Sequence, residues 1–150
     1  MPRSTENTNW PLNVSLPVRE LIDKFFLLLR TSEPGIGDIL AEEVFTPDAR
    51  ARFASKWFEG TDDLRTCREH AWVDTEGRHD TVFTVYVNDK QGSDLLLLCE
   101  TYLKLRNGNE VTTDFVAGVQ IDGPETAAPR LRTYWTLWDS APLRTALQGS

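Results

Sequence analysis

The reading of residues 94–121, DLLLLCETYLKLRNGNEVTTDFVAGVQI, decides the fold. Two apolar runs flank Asn107-Gly108, the strongest short-range hairpin signal, because glycine readily takes the positive φ that a tight turn requires. Within each run polar and apolar side chains alternate with period two, as they do on a half-buried strand. The alternation continues on both sides, so the pattern predicts four antiparallel strands at 79–87, 94–106, 110–121 and 131–138. Successive side chains point to opposite faces of a sheet, so odd-numbered positions can share one face. That face collects His79, Thr81, Phe83 and Val85, then Leu95, Leu97, Cys99, Thr101 and Leu103. Val111, Thr113, Phe115, Ala117, Val119 and Ile121 continue it, followed by Leu131, Thr133, Trp135 and Leu137. A bulge or a one-residue slip would invert parts of this set.

The period upstream is helical. Val18, Leu21, Ile22, Phe25, Phe26, Leu28 and Leu29 form the wide apolar stripe of an amphipathic helix, with Ser15 as N-cap and Pro17 in its first turn. Pro34, Gly35 and Gly37 break it. A second short helix carries Ile36, Ile39, Leu40 and Val44 on one side, with Pro47 just past its end. Residues 51–58 fit a short strand or a helical turn, and 62–72 read as a third helix with Leu64, Cys67, Ala71 and Trp72 inward. The expected organisation is a flexible arm over 1–14, one domain over 15–143 and a C-terminal tail over 144–150. Helical stripes need an apolar surface, so the helices should cover the odd face of the sheet, giving an α+β domain.

Composition narrows the function. The 150 residues carry a net charge of −7, and the arginines are interleaved with Asp and Glu, which argues against a nucleic-acid phosphate backbone as partner. Cys67 and Cys99, with His70 and His79, lack the spacing of a metal site, so no metal is expected. No Gly-rich phosphate loop is present, and no cofactor is expected. The N-terminus has no apolar signal region, and the longest aliphatic run, residues 95–98, is far too short to span a bilayer. No membrane association is expected, and a cytoplasmic protein is the default.

The order helix, short helix, helix and long-stranded meander resembles the nuclear-transport-factor-2-like fold, and within it the SnoaL-like group. The segments that carry the resemblance are EVFTPDA at 43–49 and YWTLWDSAPL at 134–143, the latter similar to the closing strand of fungal SnoaL-like proteins. The resemblance implies a cone whose concave sheet face and helices enclose an apolar pocket. It also implies relatives that include cofactor-independent isomerases, dehydratases and polyketide cyclases, together with members that catalyse nothing. Carried onto this chain, the ketosteroid isomerase tyrosine, base and oxyanion-hole aspartate fall near Phe25, Phe53 and Ala117, none of which can move a proton. Of the scytalone dehydratase positions, one histidine falls on His79, a second near Cys99 and an aspartate near Arg30.

His79 is the leading catalytic candidate, since an imidazole gives and takes a proton near neutrality. Its competing role is a strand-end histidine bonded to backbone. Arg30 could hold a carboxylate or enolate with its planar fork, or simply favour a helix C-terminus by its charge. Asp114 could reach the pocket or lie on the even face beside Glu100 and Tyr102. The substrate-binding set expected around them is Phe25, Phe53, Trp57, Cys99, Phe115, Ala117, Thr133 and Trp135, with the large aromatics equally suited to core packing. The function read from this set is a cofactor-independent lyase, isomerase or cyclase acting on a hydrophobic oxygenated small molecule, such as a polyketide or terpenoid intermediate. The alternative is a non-catalytic ligand-binding or dimerisation domain. Even positions Tyr86, Leu96, Leu98, Tyr102, Val116, Tyr134 and Trp138 make the other face too apolar for water, which points to a homodimer through that convex face unless the C-terminal tail covers it.

Overall fold

A computed structural model describes residues 2–149. Helix α1 spans Leu16–Leu29 and buries the stripe anticipated from its period, from Val18 to Leu29. Ser15 Oγ accepts from the Val18 N–H at 3.3 Å and so satisfies one of the amides that a helix start leaves open. Helix α2, Ile36–Ile39, runs into a π-helical turn, Leu40–Val44, and the chain enters strand β1, Phe45–Phe53, without a loop. Pro47 therefore lies inside a strand rather than past a helix. It is tolerated because the pairing of β1 with its neighbour is irregular between Phe45 and Arg50, where no ladder N–H is demanded.

The segment left open at 51–58 turns out to be extended: β1 pairs antiparallel with β2, Lys56–Glu59. The expected helix over 62–72 is only partly formed. Helix α3 spans Gly60–Leu64, and beyond it backbone N–H groups reach three residues back instead of four, as from Cys67 to Leu64 and from Ala71 to Arg68. Thr66 Oγ1 donates to the Asp63 carbonyl at 2.7 Å, competing with the helical ladder. The tighter turns aim Cys67 and Arg68 at the sheet.

Strands β3 (Thr75–Val87), β4 (Asp94–Leu105), β5 (Glu110–Asp122) and β6 (Arg130–Trp138) form the meander. The six strands lie in the order β2-β1-β6-β5-β4-β3, antiparallel throughout except for the parallel β1–β6 pair. Gly108, at φ 93°, turns the β4–β5 hairpin. Helix α4, Ala141–Gln148, crosses the boundary drawn at 143 and is tied to that hairpin by Asn107 and Asn109, which donate to the Ala146 carbonyl. The segment ahead of α1, for which the sequence suggests a flexible arm, is bonded along the free edge of β3. The Val82 N–H donates to the Ser4 carbonyl at 2.9 Å, and Asn9 exchanges bonds with Phe83 and Val85.

Two bulges overturn the odd-face assignment at both ends of the sheet. On β3, Val82 pairs with Cys99 and Thr84 with Leu98, so Phe83 has no partner. On β6, Leu131 pairs with Ile121 and Thr133 with Gln120, so Arg132 is the extra residue. An added residue moves every side chain beyond it to the opposite face. The inner face therefore takes Arg78, Asp80 and Val82 from β3 and Tyr134, Thr136 and Trp138 from β6. His79, Thr81 and Phe83, with Thr133, Trp135 and Leu137, go elsewhere. Tyr134 and Trp138, expected on the convex face, belong to the inner one, and Trp135 takes their place outside. Its indole lies over Gly118, where any Cβ would collide with the ring. The unbulged odd positions of β4 and β5 remain as read: Leu95, Leu97, Cys99, Phe115, Ala117, Val119 and Ile121 are buried.

The bulge fixes an order of stabilities. Val82 is 1% exposed and Phe83 47% exposed. Val82→Ala should cost about 2 kcal/mol in urea denaturation, from two lost buried carbons. Phe83→Ala should cost less than about 1 kcal/mol. The reverse order would return the strand to simple alternation.

Candidate functional site

The inner face ends in a cavity of about 540 Å³, bounded by the β1–β2 hairpin, the turns at 65–72 and strands β3 to β6. Phe53, Phe58, Phe115, Trp72 and Trp138 form its walls. Arg68, Arg78, Thr101, Cys67 and Tyr134 contribute polar groups, and Arg52, Lys56, Glu69, His70 and Asp74 are also in the lining. A mostly apolar concavity of this size with a few convergent polar groups has the usual form of a small-molecule site.

Arg78 reaches the cavity because the β3 bulge turns residues 78, 80 and 82 inward. Two residues apart on one strand face, Arg78 and Asp80 pair through two bonds, Nε to Oδ2 at 2.9 Å and Nη2 to Oδ1 at 3.1 Å. The Asp80 side chain is wholly buried, whereas Arg78 keeps 21% exposure. Burial works against the Arg78 charge, but the Asp80 carboxylate outweighs it and holds the guanidinium above its usual range. Arg68 has no such partner. Its Nη2 donates to the Leu29 carbonyl at 2.8 Å, and its Nε makes no hydrogen bond. Burial, followed by the charge of Arg78, lowers its pKa to about 10, so it stays a cation at neutrality. Thr101 Oγ1 is a second buried polar atom without a partner. Burial pushes the Cys67 thiol up to about 11 and the Tyr134 phenol up as well, so both are neutral near pH 7. The Tyr134 ring packs against Phe25 and Phe53 at centroid distances of 4.7 and 5.3 Å.

The residues anticipated from sequence separate into distinct places. Phe53 and Phe115 line the cavity. Phe25 lies behind Tyr134 in the core, where Cys99 and Ala117 are also buried. Trp57 stacks against Arg50 and Arg52, 4.5 and 5.4 Å from its ring centroid, outside the lining. Thr133, Trp135 and Asp114 are on the outer face, the last opposite Glu100. His79 and Arg30 do meet: Nδ1 of His79 is 3.1 Å from Arg30 Nη1, which also donates to the Pro2 carbonyl at 2.9 Å. That pair sits at the β3 edge beside the N-terminal segment, and neither residue lines the cavity. Burial, then the Arg30 charge, lowers the His79 pKa, which favours the neutral imidazole.

Sequence reasoning missed Arg68, Arg78, Thr101 and Tyr134 as a polar cluster. The available signal was the Arg78-His79-Asp80 spacing, since opposite charges two apart on a strand share a face. Among the described residues no three His, Cys, Asp or Glu side chains are grouped to hold a metal ion, and no helix is long and apolar enough to cross a membrane.

No family model and no curated protein matches the chain in sequence. Solved structures do match in shape. An NTF2-like protein of unknown function from Burkholderia pseudomallei superposes with a TM-score of 0.67 at 17% identity, covering 93% of this chain and all of that one. The chain has the nuclear-transport-factor-2-like fold. A putative SnoaL-like polyketide cyclase from Jannaschia sp. matches with a TM-score of 0.67 at 15% identity, over 91% of this chain and 95% of that one. A type 2 hexachlorocyclohexane dehydrochlorinase matches with a TM-score of 0.66 at 9% identity, over 82% and 83%.

The Arg78–Asp80 pair allows a direct energetic check. Removing one partner leaves a buried charge uncompensated, so Arg78→Met and Asp80→Asn should each lose about 3–5 kcal/mol of stability. The double variant should recover most of that loss. Additive losses in thermal or urea unfolding would show that the two side chains are not paired.

Proposed function

We propose that this protein is a cofactor-independent isomerase, cyclase or lyase acting on a hydrophobic oxygenated small molecule of the polyketide or terpenoid type, within the cavity of the cone. The supporting observation is uncompensated guanidinium charge among aromatic walls. Fixed donors aimed at developing negative charge are worth more beside apolar walls than in water, so Arg68, which has no carboxylate partner among the described residues, suits an enolate oxygen. Phe53, Phe115, Trp72 and Trp138 would orient a flat substrate. His70, a solvent-exposed side chain, is the one imidazole in the lining among the described residues and would exchange a proton between substrate and solvent. His79 and Arg30, as a neighbouring pair outside the lining, would act by anchoring the N-terminal segment.

A second reading is a non-catalytic binding domain. It is favoured by the interior groups themselves, because Cys67 and Tyr134 are both held away from titration near neutrality. Deuterium uptake from solvent at the α-carbon of aryl 1,3-diketones, followed by NMR in chelator-treated buffer, separates the two. The expected result is uptake above background that falls roughly 10²–10³-fold in Arg68→Met. Binding of the diketones without any uptake would favour the non-catalytic domain.

The partner proposed for the outer face is a second copy of the chain. With its corrected membership that face carries Tyr86, Leu96, Leu98, Val116, Trp135 and Leu137. Tyr86 is 56% and Leu137 59% exposed, more than a soluble domain usually leaves in one patch. Leu96→Lys combined with Leu137→Glu should convert a dimer into a folded monomer, read by light scattering. A monomeric unmodified protein at micromolar concentration would rule the dimer out.

A further inference from the structure

The interior of the cavity has an electrostatic imbalance at one defined point. Arg78 spends both donors of its fork on the two oxygens of Asp80, and that pair is neutral overall. Arg68 makes no ion pair among the described residues, and its bonded nitrogen meets only the neutral Leu29 carbonyl. The groups that act on it electrostatically are Arg78, Cys67, Tyr134 and Asp80, and the one carboxylate among them, Asp80, is already engaged by Arg78. Arg68 Nε is buried with no acceptor, and Thr101 Oγ1, on a residue only 9% exposed, is buried with no partner. A largely buried cation without a counter-charge is costly, so the arrangement is one that a negatively charged ligand would offset.

We propose that the cavity binds a flat hydrophobic carboxylic acid, whose carboxylate pairs with the Arg68 guanidinium while its ring system lies between Phe53, Phe115, Trp72 and Trp138. This rests on the reading of the cavity as the functional site and names the substrate class for it. A carboxylate suits Arg68 better than a neutral carbonyl because it supplies negative charge to a guanidinium with no ion pair among the described residues. The aromatic walls favour an aryl or conjugated acid over a small hydrated anion. Arg52 and Lys56, also in the lining, have other contacts: Arg52 Nη2 donates to the Thr136 carbonyl at 2.7 Å, and Lys56 Nζ lies 4.8 Å from the Phe58 ring centroid.

Calorimetric titration of the full chain with 2-naphthoate, its methyl ester and inorganic phosphate tests the assignment. The unmodified protein should bind 2-naphthoate at least roughly 10-fold more tightly than the ester, since a charge-assisted hydrogen bond is worth about that factor or more. Arg68→Met should remove that preference by weakening the acid more than the ester, and Arg68→Lys should retain part of it. Circular dichroism establishes that each variant is folded, and Arg68→Lys carries the test if Arg68→Met is not. Ester and acid binding equally well would overturn the carboxylate assignment while leaving the cavity as a site for oxygenated small molecules. Displacement of naphthoate by equimolar phosphate would overturn it in favour of a general oxyanion point. Binding of neither naphthoate nor ester to the folded protein would overturn both this proposal and the functional reading on which it rests.

Discussion

Phe83, the residue skipped between the Val82 and Thr84 pairings of β3 with β4, determines what the cavity contains. Before it, Arg78, Asp80 and Val82 face inward; after it, Val85 does. Without that extra residue the inner face of the strand would present His79, Thr81 and Phe83, an apolar surface with one imidazole. With it, the same strand presents a buried ion pair. The second bulge, at Arg132, repeats the effect on β6 and turns Tyr134, Thr136 and Trp138 toward the same space. Bulges also bend the strands that carry them, so the features that exchange the side chains also help to curve the sheet into a cone.

The energetics of that exchange constrain function. Burying Asp80 is tolerable only because both of its oxygens receive donors from one planar guanidinium. That pairing consumes the available negative charge and leaves Arg68 as the uncompensated cation. The tight turns at 65–72 matter for the same reason: a regular helix through this segment would rotate successive side chains by a constant angle, whereas the three-residue steps bring Cys67 and Arg68 to the cavity together. Around Arg68 the ionisable groups are thus the Arg78–Asp80 pair and two groups, Cys67 and Tyr134, held neutral by burial. Such a set is suited to holding negative charge on a ligand.

Much of the architecture was legible in the sequence. The apolar stripe of α1, the Ser15 cap, the Asn107-Gly108 hairpin and the inward faces of β4 and β5 follow from periodicity and turn chemistry, and the structure has them. The sites were less legible because their positions depend on strand register. A bulge adds one residue, leaves composition and periodicity almost untouched, and swaps the faces beyond it, so His79 and Trp135 fit the pattern while Arg78 and Tyr134 occupy the cavity. Phe53 and Phe115, on stretches outside those two bulges, do line the cavity. The truncation of the third helix had a local trace, the run Thr61-Asp62-Asp63 with Thr66, residues whose side chains compete with helical backbone bonds. The isolated charge of Arg68 had none, since it depends on which carboxylates stay out of reach.

The most direct test of the bulged register is a nuclear Overhauser map of the aromatic side chains in solution. Contacts from the Tyr134 ring to the rings of Phe25 and Phe53, and from the Trp135 indole to the Gly118 α-protons, are required if the second bulge sets the inner face. With them, the Val82 methyl groups should contact the core while the Phe83 ring does not. A Trp135 ring in contact with Phe25, or a Phe83 ring in the core with Val82 at the surface, would mean regular strands, a cavity without Arg78, and a different site.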